Sequence, residues 1–222
     1  MRLILLGLPG AGKGTQAHVL ADQLGLLHIS TGDMFREATA AGTEFGLRVQ
    51  GFMAKGELVP DELTLGMLLE RISQSDAAKG IMLDGFPRTI PQAEALDAAL
   101  GECDSQIDAV LHIEVPEDQL MGRLTGRWTC SECGSIYHTI SSPPTTDGIC
   151  DREGATLTQR ADDQPDTVKS RLDTNREWTE QLAAYYRAVS KLHHIDGTGA
   201  LGDITARLMS AIESVPAAGI GA

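Results

Sequence analysis

The segment Gly7-Leu8-Pro9-Gly10-Ala11-Gly12-Lys13-Gly14-Thr15 carries the most specific chemistry in the chain. Its glycines let the backbone curl until successive N–H groups point inward, and the start of a following helix adds partial positive charge. Lys13 brings a mobile full charge suited to β- and γ-phosphates, and Thr15 brings a hydroxyl placed for Mg²⁺. The general phosphate-loop pattern has serine or threonine directly after the lysine, whereas here Gly14 intervenes. A glycine-rich turn used only for packing has no need of a lysine in its middle. The segment therefore predicts phosphate binding.

Other residues would complete a phosphate site. Asp84 ends the apolar run Ile81–Leu83 and suits Mg²⁺, directly or through water. Gly85 lets the backbone approach a ligand, and Arg88 offers a planar fork to a phosphate. Gln92 lies four residues on, so on the same helix face, and its carboxamide both donates and accepts, which suits the edge of adenine. Phosphoryl transfer needs positioned positive charge more than it needs a base. Arg123 and Arg127 are four apart and are expected on one helix face, while Arg160 and Arg171 bracket the far end of the segment that follows. Asp162 and Asp163 are expected either to pair with these arginines or to serve as acids before the last long helix.

A second chemistry lies in Cys130-x2-Cys133-x16-Cys150-x2-Glu153, the spacing of two knuckles closing on one ion. Three thiolates and a carboxylate suit tetrahedral Zn²⁺, with Glu153 or the nearby Asp151 in fourth place. Such a closed site would be structural, stapling a unit too small to bury its own core. Cys103 stands apart.

The elements that must position these residues are legible as short apolar runs between amphipathic stretches. Leu3–Leu6, Leu26–Ile29, Ile81–Leu83, Val110–Val115 and His193–Ile195 show no alternation, as expected of strands covered on both faces. Helical patterns run over Thr15–Leu24, Asp61–Ile72, Pro91–Leu100, Glu117–Leu124, Thr167–Leu192 and Asp203–Ile212, with Pro91 and Pro116 as first-turn prolines. Strand and helix in repeated alternation imply a parallel sheet with helices on both faces. Gly126 to Asp163 breaks the alternation and reads as a small inserted domain rich in turn residues. The tail from Val215 to Ala222 is small and expected to fray.

Composition sets outer bounds. The chain has 222 residues, 42% hydrophobic and 22% charged, enough for one sizeable core. A net charge of −13, the lack of a basic stripe and 4% aromatic residues argue against a zinc-ribbon nucleic-acid module. No stretch approaches the roughly 18–20 apolar residues of a membrane helix, and glycines cut the opening apolar run too early for a signal peptide. A cytoplasmic protein is the expectation, with its cysteines serving as metal ligands or free thiols. The acidic total describes mainly the outside. Seven of the 18 cationic side chains (Lys13, Arg36, Arg88, Arg123, Arg127, Arg160 and Arg171) fall in one expected cleft.

The blocks Gly7–Thr15, Ile29–Arg36, Leu83–Thr89, Arg123–Arg127 and Gln159–Asp163, in this order, resemble the adenylate kinase family over about Arg2 to Ile212. The resemblance implies a P-loop NTPase fold with a five-stranded parallel sheet and an inserted lid. The core would be 1–29, 60–126 and 164–222, the AMP-binding segment 30–59 and a zinc-type lid 127–163. It implies transfer of a phosphoryl group from Mg·ATP to AMP, giving two ADP, by a monomer whose two mobile segments close to exclude water. Gly10, Ala11, Gly12, Lys13, Gly14 and Thr15 would bind ATP, with Arg127, Ile136, Tyr137 and the backbone of Gly199. Thr31, Arg36, Glu57, Leu58, Val59, Gly85, Phe86, Pro87, Arg88 and Gln92 would bind AMP, with Arg160 and Arg171. Lys13, Asp84, Arg88, Arg123, Arg160 and Arg171 would serve catalysis. Gly51 and Gly56 are candidate hinges. Zinc-bearing lids of the family usually place cysteine or aspartate fourth, so Glu153 is a departure. A kinase for another nucleoside monophosphate and a non-catalytic nucleotide switch are the competing readings.

Overall fold

A computed structural model describes residues 1–216; the tail expected to fray falls, from Ala217 on, outside the described residues. The elements in chain order are β1 (Arg2–Leu6), α1 (Lys13–Leu24), β2 (Leu27–Ser30), α2 (Thr31–Ala40), α3 (Glu44–Lys55), α4 (Asp61–Ile72), β3 (Ile81–Asp84), α5 (Ile90–Gly101), β4 (Ala109–Glu114) and α6 (Glu117–Thr125). Then come β5 (Arg127–Cys130), β6 (Ile136–His138), β7 (Leu157–Thr158), α7 (Pro165–Ala188), β8 (Leu192–Asp196) and α8 (Leu201–Glu213).

Five strands form a parallel sheet in the order β2-β3-β1-β4-β8. The apolar runs of the inner strands β1 and β3 are buried on both faces, which is why they do not alternate, whereas the edge strand β8 exposes His194 and Asp196. Leu3, Leu5, Leu111 and Ile113 meet Ala17 and Leu20 of α1, Leu120 of α6 and Leu208 of α8. Ile4, Leu6, Leu83 and Val110 meet Leu68 of α4, Leu96 of α5 and Leu182 of α7. Connections run to one side of β1 and then to the other, so a crevice opens beyond the carboxyl ends of β1 and β3. Open α/β sheets bind ligands at such a switch point.

Two satellite cores stand off the sheet. One joins Phe35 of α2 and Val49 of α3 to Val59. At this crossing Gly46 is obligatory, because a Cβ there would lie 2.0 Å from the Ala38 carbonyl oxygen. The other belongs to a three-stranded antiparallel sheet, β6-β5-β7, whose small interior is Cys130, Tyr137, Cys150 and Leu157 with Trp128 and Ala155 packed against them.

Several expectations need correction. The periodicity of the long helix does not reach Leu192. α7 stops at Ala188, Ser190 adopts a positive φ of 58°, and Leu192 already belongs to β8. Pro116 is the residue before α6, not one within its first turn. Arg127 does not share a helix with Arg123, since α6 ends at Thr125 and Arg127 opens β5. Gly51 lies inside α3, and Gly56 caps that helix at φ 73° against Arg171, where a Cβ would come within 2.6 Å of Arg171 Cγ. Neither glycine has the setting of a free hinge. α3 itself had no expected counterpart. Among the described residues no helix is long and apolar enough to cross a membrane.

Candidate active site

The loop after β1 takes its shape from glycine. Gly7, Gly10 and Gly12 all have positive φ, and a Cβ on Gly7 would sit 2.5 Å from the Ile113 carbonyl oxygen. α1 begins at Lys13 with no side-chain cap, so its first N–H groups face the loop. Lys13 Nζ donates to the carbonyl oxygens of Gly7 (2.8 Å) and Leu8 (3.0 Å), folding over the loop. Burial pushes its ammonium down to about 8; Asp84 pulls it up, while Arg88, Arg171 and Arg127 push it down further. Thr15 is exposed on the first turn of α1.

Asp84 stands at the carboxyl end of β3, its Oδ2 3.3 Å from where a Cβ of Gly14 would be. Burial alone would raise this carboxyl, but the His28 imidazole, 3.9 Å away, and Lys13 outweigh it and hold the group below the ordinary range. It is therefore an anion beside the loop.

The acceptor side is built by α2 and the turn after β3. Ser30 caps α2 by accepting from the Asp33 N–H. Thr31 instead donates to the Gly85 carbonyl oxygen at 2.9 Å. Arg88 Nε donates to the same oxygen, and the Arg88 backbone N–H donates to Gln92 Oε1 at 2.7 Å. Gln92 Nε2 donates to Asp61 at 2.6 Å, and Thr89 donates to the other oxygen of that carboxylate. One cleft is lined by Thr31, Arg36, Glu57, Leu58, Val59, Gly85, Arg88, Gln92 and Arg171. Phe86, Pro87 and Arg160 do not line it. Phe86 is 1% exposed and belongs to the core.

Asp61, which fixes Gln92, had no assigned role in the sequence. Phe35, Met53 and Asn175 also line the cleft and were not anticipated. The apolar pair sits on the inner face of α2 and α3, so recognising α3 would have exposed it.

Burial and the other arginines bring Arg88 and Arg160 down to about 10, so both remain charged at neutral pH. Arg88 feels Arg171 and Arg36, and Arg160 feels Arg36 and Arg127. Lys13, Arg36, Arg88, Arg127, Arg160 and Arg171 thus form one cationic field. Arg123 reaches the Gly197 carbonyl oxygen and Gln119. Asp163 lies at the centre of the field, 0% exposed. It accepts from Arg127 Nε at 2.8 Å and Nη2 at 2.5 Å, and from Arg171 Nη1 at 3.0 Å. Arg171 also pairs with Asp162 at 3.0 Å. The pairing expected of these two acids is therefore present.

In the small sheet, sulfur atoms of Cys130, Cys133 and Cys150 lie within 4.8 Å of one another, Cys133 and Cys150 at 3.6 Å. Zinc–sulfur bonds of about 2.3 Å in a tetrahedron place sulfurs about 3.8 Å apart, so the trio fits that ion. Tyr137 and the backbone N–H groups of Glu153 and Arg152 bring the Cys150 thiol down to about 6. The carboxylates of Glu153 and Asp151 are not in the group. Glu153 is exposed, and Asp151 accepts from the Thr145 N–H. Tyr137, expected near ATP, has its hydroxyl 3.5 Å from Cys150 Sγ and accepts from the Asp151 N–H. Its hydroxyl thus meets the thiol cluster, whereas Ile136 beside it is exposed. His138 is structural, with Nε2 against the Gly122 carbonyl and Nδ1 accepting two backbone N–H groups. Gly199, at φ 102°, precedes α8.

A cationic field over a phosphate loop is what phosphoryl transfer requires, and fold and site together define a P-loop phosphotransferase. A family model described as adenylate kinase matches residues 5–191. The adenylate kinase of Staphylococcus epidermidis (strain ATCC 35984) is 51% identical over 205 residues, covering 92% of this chain and 95% of its own. That of Staphylococcus aureus (strain Mu50) is 52% identical with the same coverage. The chain belongs to the adenylate kinase family, whose reaction is transfer of a phosphoryl group between ATP and AMP.

Proposed function

We infer that the chain transfers the terminal phosphoryl group of Mg·ATP directly to AMP, giving two ADP, as a cytoplasmic monomer that maintains adenine nucleotide balance. The observation that carries this is the meeting of one cationic field with two openings, the loop at Lys13 and the cleft at Gln92. The donor would lie on Gly10–Thr15, covered by Arg127, Ile136 and the backbone near Gly199. The acceptor would lie in the cleft, with its phosphate toward Arg36 and Arg88. Arg160 and Arg171 would bridge the two, and Arg123 would approach from the β8 side. Residues 30–59 would form the acceptor segment and 127–163 the lid, on a core of 1–29, 60–126 and 164–222.

The ionised Asp84 and the Thr15 hydroxyl fit Mg²⁺, which when bound neutralises phosphate charge. The chain itself orients both phosphates and excludes water, a competing nucleophile. A coupled assay with ATP against AMP, CMP, UMP and GMP tests the reading. AMP is expected to be preferred by at least tenfold, and equal rates would favour a broader nucleoside monophosphate kinase.

The protonation of Lys13 should be visible in binding. Above about pH 8 the free protein loses this proton, and bound phosphates restore it, so affinity for Mg·ATP falls as pH rises, by up to tenfold per unit. Calorimetry at pH 8.5 in two buffers of different ionisation enthalpy should show proton uptake. No uptake would exclude the linkage.

Gln92→Ala should raise the KM for AMP at least tenfold and that for ATP less than twofold. It removes the amide that joins the Arg88 turn to Asp61, and the phosphate loop is untouched. Equal losses would reject the assignment of Gln92 to the acceptor.

The three thiolates would hold one structural Zn²⁺, with Glu153, Asp151 or solvent as the fourth ligand. Metal analysis should find one equivalent of zinc fewer in Cys150→Ser than in wild type. Full zinc content in that variant would contradict the site.

A further inference from the structure

A second cluster of metal-ligating side chains lies on the main sheet, away from the thiols. His112 and Glu114 are alternate residues of β4, and His194 pairs with His112 across to the edge strand β8. All three therefore project from one face, the face Val110 and Leu192 turn toward α7. One ligand atom from each lies within 4.8 Å of the others. Both imidazoles turn Nδ1 toward a single carboxylate: His112 Nδ1 is 3.6 Å from Glu114 Oε1, and His194 Nδ1 is 3.2 Å from Glu114 Oε2.

His112 Nδ1 is fully buried and has no hydrogen-bond partner. A buried polar nitrogen without a partner is costly and calls for an explanation. We propose that His112, Glu114 and His194 form a binding site for a divalent transition-metal ion of the zinc class. Two imidazole nitrogens and one carboxylate oxygen suit such an ion and leave at least one position for water. Ligand atoms of a tetrahedral zinc stand about 3.3 Å apart, so the cluster must contract. Glu114 and His194 can supply that movement, with side chains 53% and 44% exposed, while His112, at 12%, is held by the fold. The bound ion would tie the edge strand β8 to β4.

Arg187 gives the proposal an internal check. Its Nη2 lies 3.2 Å from His194 Nε2, and a guanidinium can only donate, so it favours a proton on Nδ1. Metal at Nδ1 moves that proton to Nε2, and Arg187, which is exposed, must turn away. Arg187 therefore competes with the metal.

Zinc uptake by the whole chain is measured by equilibrium dialysis with added Zn²⁺, comparing wild type with His194→Ala, Glu114→Gln and Arg187→Ala. Circular dichroism checks that each is folded. Comparison with wild type cancels any ion held by the thiols. Wild type should take up one equivalent more than His194→Ala. Glu114→Gln should bind that equivalent at least tenfold more weakly, and Arg187→Ala severalfold more tightly. Added Zn²⁺ should raise the melting temperature of wild type more than that of His194→Ala. Equal uptake and affinity in wild type, His194→Ala and Glu114→Gln overturns the site, as does weaker binding in Arg187→Ala.

Discussion

Lys13→Met should lower kcat by about 10³-fold while leaving the melting temperature nearly unchanged. A positioned group that meets developing charge typically contributes 10²–10³ in rate, and here it is a full charge at the phosphate loop. The factor corresponds to about 4 kcal/mol of transition-state stabilisation. The fold loses little. In the free protein Lys13 donates only to the Gly7 and Leu8 carbonyl oxygens, and burial already disfavours its charged form. Removing the ammonium gives up those two hydrogen bonds but also removes the cost of desolvating a cation, so the two effects oppose each other. Methionine keeps the length and apolar stem. The selective loss of rate follows from differential binding: the ammonium exchanges two neutral carbonyls for phosphate oxygens. Steady-state kinetics beside thermal melting check this, and a kcat within tenfold of wild type would mean that Lys13 does not meet the transferred group.

The parallel sheet was readable because its inner strands are covered on both faces, and Leu3–Leu6 or Ile81–Leu83 admit no exposed alternative. The phosphate loop was readable because glycine is required there for contact reasons, as Gly7 against Ile113 demonstrates. What escaped depended on tertiary contact. α3 packs through Gly46, a helix-disfavouring residue whose value appears only when the Ala38 carbonyl is beside it. The contact of the Tyr137 hydroxyl with Cys150 likewise depends on the small sheet bringing them together. Arg127 and Arg123 shared helical spacing, but α6 stops between them. Spacing in sequence carries geometry only while the element persists. Asp61 and Gln92, 31 residues apart, meet because α4 and α5 pack together, which no local pattern encodes.

Asp163→Ala should destabilise the protein by about 3 kcal/mol or more, a fall in melting temperature of roughly 10 °C for a chain of this size. Asp163 is fully buried and joins Arg127, the first residue of β5, to Arg171 on α7. It therefore ties the small sheet to the main body. Alanine leaves two largely buried guanidinium groups facing each other without the anion between them. Breaking a buried pair costs far more than the pair contributes over an apolar substitute, because the remaining charge stays desolvated. Asp162→Ala is the control. Asp162 pairs with Arg171 alone and is 14% exposed, and its backbone carbonyl would still accept from Arg171 at 2.7 Å. Its loss should be much smaller. Asp163→Asn, which keeps shape and one acceptor but removes charge, should fall between the two. The same ordering should appear in kcat, since Arg171 loses its orientation with Asp163. The carboxylates also account for how so many cations coexist in one cleft before any phosphate arrives: Asp163 pairs with Arg127 and Arg171, Asp162 with Arg171, Asp33 with Arg36, and Asp84 faces Lys13. A melting temperature unchanged in Asp163→Ala would mean that the arginines separate freely and that the field is not held together by this anion.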